Sequence, residues 1–72
     1  MTIYDLKKGE LGVINNINGD KDLRKRLLAL GCIEGTEVKL VNYAPLGDPI
    51  LINFKGFDLA IRKKDAKNIY LK

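Results

Sequence analysis

The chain has 72 residues, 46% hydrophobic and 31% charged, a balance that excludes a disordered tail and leaves room for one small core. A chain of this size buries only roughly 60 % of its unfolded surface, so its stability is expected to be modest. Thirteen Lys and Arg against nine Asp and Glu give a net charge of +4 with no histidine, which favours acidic partners and works against binding a bare metal cation.

The apolar runs fall far short of the roughly 18 residues a membrane span needs, and the opening MTIYDLKKGE lacks the hydrophobic block of a signal peptide. A cytoplasmic location with no membrane insertion is therefore expected. Cys32 is the sole cysteine, so no internal disulfide can form. With no tail, linker, repeat or low-complexity segment in view, residues 1–72 are expected to form a single domain.

Residues 11–18, LGVINNIN, are rich in β-branched side chains and close on Asn18-Gly19, which reads as a strand ending in a turn. The period then changes. In DKDLRKRLLALG, Leu23, Leu27 and Leu30 recur at i, i+4 and i+7, one face of a helix over about residues 20–31. Asp20 reads as its N-cap and Gly31 as its left-handed C-cap, with Cys32 supplying the apolar contact that accompanies such a cap.

After a turn at Glu34-Gly35, TEVKLVNY resumes strand character. Both Val38 with Leu40 and Val41 with Tyr43 could face the core, which points to a bulge whose position the sequence does not fix. Ile50, Ile52 and Phe54 of ILINF share a face, Lys55-Gly56 suits a two-residue hairpin, and Phe57, Leu59 and Ile61 alternate beyond it. KKDA reads as a short helical turn, and NIYLK ends the chain as a strand with Ile69 and Leu71 inward. Five short strands and one inserted helix suggest a mainly β fold, an SH3-like barrel in which closure removes open edges.

Between the second and third strands lies Ala44-Pro45-Leu46-Gly47-Asp48-Pro49, where a plain hairpin needs about two residues. Prolines hold such a loop in few conformations, and an apolar residue bracketed by turn-formers is unusual for a plain corner. Two readings stand side by side: a stiff corner between strands, and a protein-docking surface with Leu46 exposed at its tip.

Other chemistry finds little support. A Ser or Cys nucleophile lacks a histidine base, and one thiol with scattered carboxylates does not make an intermediate-metal site. No glycine-rich run precedes a GK[ST] element, so no nucleotide-phosphate loop is present. Lys21, Arg24, Lys25 and Arg26, with Arg62, Lys63 and Lys64, could face phosphates, but Asp20, Asp22 and Asp65 lie among them. With five aromatic residues, several at core spacing, nucleic-acid binding is not expected.

The succession RLLALG, EGTEV, APLGDPI, LAIRKKDA and a final apolar strand resembles the FeoA family, small cytoplasmic partners of the bacterial ferrous-iron transporter FeoB. The resemblance runs from Leu6 and Gly9 to Leu71. Arg26, Leu27, Leu30 and Gly31 match the family's helix end, Gly35 its next turn, Pro45, Gly47 and Pro49 its loop, and Leu59, Ala60, Arg62 and Ala66 its last hairpin. The chain departs at Cys32-Ile33-Glu34, where the family usually carries an apolar residue and a proline, a change expected to loosen this turn.

The resemblance implies an SH3-like fold and a non-enzymatic, cofactor-free role in Fe(II) uptake through contact with the cytoplasmic region of a FeoB-type transporter. Ala44, Pro45, Leu46, Gly47, Asp48 and Pro49, with Arg26 and Arg62, are the expected contact residues, while the oligomeric state stays open. Two alternatives stand beside this reading. One is a stand-alone module akin to the C-terminal domain of metal-dependent transcriptional repressors; the other is a direct transition-metal binder drawing ligands from several copies.

Overall fold

The computed structural model describes residues 1–72. Five strands, β1 (Leu11–Ile17), β2 (Glu37–Tyr43), β3 (Ile50–Phe54), β4 (Phe57–Ile61) and β5 (Ile69–Leu71), form one antiparallel sheet in the order β4-β3-β2-β1-β5. Helix α1 (Lys21–Ala29) lies between β1 and β2, and the single-turn α2 (Lys63–Ala66) joins β4 to β5. The sheet wraps the core because β1 is shared: Leu11–Val13 pair with β2, and Ile14–Ile17 pair with β5.

Hydrogen bonding does not close the barrel. β4 and β5 are the ends of the sheet, with α2 between them in the chain. The outer edge of β5 is covered by the chain's first residues, where Thr2 bridges Tyr70 and the Leu71 N–H donates to the Met1 carbonyl at 2.8 Å. Such cover serves the purpose of closure at that edge, by occupying backbone groups that would otherwise recruit another strand. β4 keeps its outer edge open.

The helix ends follow the side chains that flank them. Asp20 accepts the Leu23 N–H at 2.7 Å, satisfying one of the amides that a helix start leaves bare. At the other end, the Gly31 N–H donates to Leu28 and the Cys32 N–H to Leu27, the paired bonds of a Schellman cap. Leu23 and Leu27 are buried and Leu30 packs at the core's margin, so the leucine stripe faces inward.

Fifteen buried residues form one cluster drawn from every strand and both helices, including Ile14, Leu27, Cys32, Leu40, Ile52, Phe54, Ile61 and Ile69. β3 alternates as its sequence does, with Ile50, Ile52 and Phe54 buried. The bulge falls where β2 shifts register against β3 between Leu40 and Asn42. It lets Val38 and Leu40 fill the core while Val41, within the shift, and Tyr43, beyond it, are half-buried. Lys55 and Gly56 turn the β3–β4 hairpin with φ of 50° and 87°, the paired positive values of a type I′ turn.

The turn after α1 is pinned despite lacking its proline. The Thr36 hydroxyl donates to the Gly31 carbonyl at 3.3 Å and accepts the Ile33 N–H at 3.1 Å, while the Gly35 N–H donates to Ile14 at 2.8 Å. The expected loosening is therefore offset by a hydroxyl that is itself buried.

Candidate functional site

The segment from Ala44 to Pro49 is braced from within and from two neighbouring elements. Internally, the Ala44 N–H donates to the Pro49 carbonyl at 3.0 Å and the Gly47 N–H to the Ala44 carbonyl at 2.7 Å. Gly47 sits at φ 80°, which any other residue would adopt only with strain, and the Asp48–Pro49 peptide is cis. From α2, the Lys63 N–H donates to Asp48 Oδ1 at 2.9 Å. From the N-terminal 3-10 turn, Ile3–Asp5, the Tyr4 hydroxyl donates to the Gly47 carbonyl at 3.2 Å.

Tyr4 is itself held. Its ring stands edge-on to Tyr43, centroids 5.6 Å apart at 89°, and the Tyr43 hydroxyl lies between the Tyr4 and Leu6 carbonyls as their donor. Burial raises the Tyr43 phenol above its ordinary value, with the phenol of Tyr4 and the carboxylates of Asp5 and Glu10 adding to the effect. Asp5 moves the other way, chiefly because its carboxylate accepts the Thr2 N–H. The ammonium groups of Lys63 and Lys67 lie 5.4 and 5.5 Å from the centre of the Tyr4 ring, within cation–π range.

Against this scaffold Leu46 is 95% exposed, the most exposed of the large hydrophobic side chains. Pro45, Asp48 and Pro49 are exposed beside it, while Ala44 and Gly47 are half-buried. The expected site residues separate here. Arg62 adjoins Lys63 but turns its guanidinium to Asp65, Nε to Oδ2 at 3.3 Å. Arg26 shares with Arg62 a cleft of about 160 Å³ lined by Asp20, Asp22, Leu23 and Asp65, and no residue of the loop lines it.

A second depression, of about 280 Å³, lies between β1, α1 and the turn after it, with Leu28 and Ile33 exposed on its walls. Cys32 reaches its floor but is buried, and burial pushes its thiol up to about 11, with the Lys55 charge opposing. No group of three or more His, Cys, Asp or Glu side chains is arranged so that it could hold a metal ion. No helix is long and apolar enough to cross a membrane. Tyr4, Lys63 and Lys67 were not legible as parts of the loop's setting, since each joins it across a long stretch of chain.

The FeoA domain family matches residues 1–72. The chain is 32% identical over 69 residues to a Porphyromonas gingivalis fusion of Fe(2+) transport protein A with the Fe(2+) transporter FeoB, covering 96% of this chain and 8% of that much longer protein. Among solved structures, FeoA from Chlorobium tepidum is 34% identical with a TM-score of 0.94, over 99% of this chain and 68% of the other. Stenotrophomonas maltophilia FeoA, a prokaryotic SH3 domain protein solved with zinc, is 26% identical with a TM-score of 0.85, over 100% and 89%. A manganese-dependent transcriptional repressor, 12% identical, has a TM-score of 0.87 over 97% of this chain and 35% of its own, a likeness of fold alone. Matched along its whole length and sharing the SH3-like fold of its relatives, this chain belongs to the FeoA family of ferrous iron transport.

Proposed function

We propose that the chain is a non-enzymatic accessory protein of ferrous iron uptake, docking through its Ala44–Pro49 loop on the cytoplasmic side of a FeoB-type transporter. The observation that carries the reading is Leu46, held out at 95% exposure on a loop tied at Ala44, Gly47 and Asp48. A loop already fixed by its own hydrogen bonds loses little conformational entropy when it meets a partner, so more of the contact energy is left for affinity. The Porphyromonas gingivalis fusion supports the choice of partner, because one polypeptide there carries both components. Arg62 is linked to the loop only through its neighbour Lys63, and Arg62 and Arg26 together line a cleft that no loop residue borders, so both are assigned to the periphery of the contact.

A single chain holds no group of three or more His, Cys, Asp or Glu side chains arranged to bind a metal ion, so a metal-carrier role would have to recruit side chains from several copies. The test is calorimetric titration against the cytoplasmic domain of the transporter from the same genome, with and without guanine nucleotide and Fe(II). Saturable binding without added iron is expected, and Leu46→Asp abolishes it while leaving the thermal melt unchanged. Undiminished affinity in that variant overturns the loop's role; Fe(II) uptake by the small protein alone, with no binding to the transporter, overturns the docking role.

A further inference from the structure

Two cations stand beside the docking loop without a partner. The structure contains two ion pairs, Arg62 with Asp65 and Lys72 with Glu34, and neither Lys63 nor Lys67 takes part in one. Their ammonium groups instead converge on one aromatic ring, at 5.4 and 5.5 Å from the centre of Tyr4. That ring is fixed to the loop through the Tyr4 hydroxyl and the Gly47 carbonyl, one residue past Leu46. Lys63 is fixed a second time, by its own backbone N–H on Asp48.

Two like charges drawn to one ring repel each other, and the repulsion falls when an anion lies between or beside them. Neither nearby carboxylate forms an ion pair with these ammonium groups: Asp48 accepts the Lys63 N–H, and Asp5 accepts the Thr2 N–H and feels the Lys67 charge without pairing with it. The surface thus offers an apolar tip beside two lysines that no carboxylate pairs, gathered round one tyrosine.

We infer that the partner's face is an acidic protein segment, in which an apolar pocket for Leu46 is flanked by carboxylates that meet Lys63 and Lys67. This rests on the docking reading above and specifies its chemistry. A phosphodiester strand would match the lysines but has no use for an exposed leucine, and the half-buried Tyr4 ring, with Tyr43 beside it and both ammonium groups over it, is a poor platform for a base to stack on. One leucine and two lysines also fall short of the several basic and apolar groups that hold a protein on a lipid surface. Charge complementarity of this kind acts mainly on association rate and selectivity, with the buried apolar anchor setting the lifetime.

The experiment is titration of the full chain, its Lys63→Glu/Lys67→Glu double variant and its Leu46→Asp variant against the transporter's cytoplasmic domain, at low and at high salt. Parallel titrations use phosphatidylserine vesicles and a mixed-sequence oligonucleotide. The inference expects wild-type affinity to fall as salt rises, and the double lysine variant to bind about tenfold more weakly at low salt with a flatter salt dependence. A Lys63→Gln/Lys67→Gln variant is expected to show a smaller loss of the same kind, and all variants to melt with the wild type.

If Leu46→Asp abolishes binding but both lysine variants bind like the wild type, the acidic partner face is overturned and the docking loop survives. If Leu46→Asp also binds normally, the docking reading itself falls. Tighter binding to vesicles or oligonucleotide than to the protein domain, lost in the lysine variants, overturns the inference in favour of those anions.

Discussion

The Tyr4 hydroxyl and the Gly47 carbonyl meet at 3.2 Å, so a side chain from the first turn of the fold fixes the tip of a loop that lies far along the chain. A methyl group on Gly47 would lie 2.9 Å from that hydroxyl, at a φ of 80° that disfavours any β-carbon. Gly47→Ala is therefore expected to lose about 1–3 kcal/mol of stability and to weaken transporter binding, as read from urea denaturation and calorimetry. An unchanged melt would mean the loop yields more readily than its hydrogen bonds imply.

Tyr43→Phe removes the proton shared by the Tyr4 and Leu6 carbonyls while keeping the ring. Acceptors left without their donor cost about 1–3 kcal/mol when partly buried. The variant should unfold at lower denaturant with an unchanged slope, since the surface exposed on unfolding is the same.

Leu27 has no exposed surface and anchors α1 to the core. Leu27→Ala is expected to cost about 2–5 kcal/mol, a large share of what so small a domain possesses. Far-UV circular dichroism should then show a partly or wholly unfolded chain at ambient temperature; a cooperative melt at the wild-type temperature would contradict the packing described.

The Cys32 thiol titrates at about 11 in the fold against 9.0 as its ordinary value, because burial disfavours the thiolate. Between those values the unfolded chain has released the proton and the native one has kept it. Stability from this group is thus fully present below about pH 9 and is lost as the pH rises towards 11. Cys32→Ala should show a flatter fall over that window in urea melts, and alkylation of native Cys32 at neutral pH should be far slower than in denaturant.

Much of the fold is written locally. Leucine spacing, Asp20 and Gly31 delimit α1, and the alternation Ile50, Ile52, Phe54 sets the inward face of β3. The phase of β2 was not legible, because Val38-Leu40 and Val41-Tyr43 alternate equally well and the choice is made by the shifted pairing with β3 and by the reach of Tyr43 to the N-terminal turn. The exposed Leu46 could be anticipated from its flanking turn-formers. Lys63, Lys67 and Tyr4 could not, since their convergence depends on α2 and the N-terminal turn packing side by side. Arg26 carries the charge expected of a contact residue, but the fold places it among Asp20, Asp22 and Asp65 in a cleft shared with Arg62 and lined by no residue of the loop.

The sharing of β1 between β2 and β5 has a kinetic corollary. Every other ladder joins neighbouring strands, whereas β1 with β5 unites the beginning of the fold with its end. Closing so long a loop is entropically costly before its contacts form, so this ladder is expected to form after the local ones. On the ribosome, the β1–β5 ladder cannot form until β5 has been synthesised, and until then the second half of β1 offers an unpaired edge to any other nascent chain nearby.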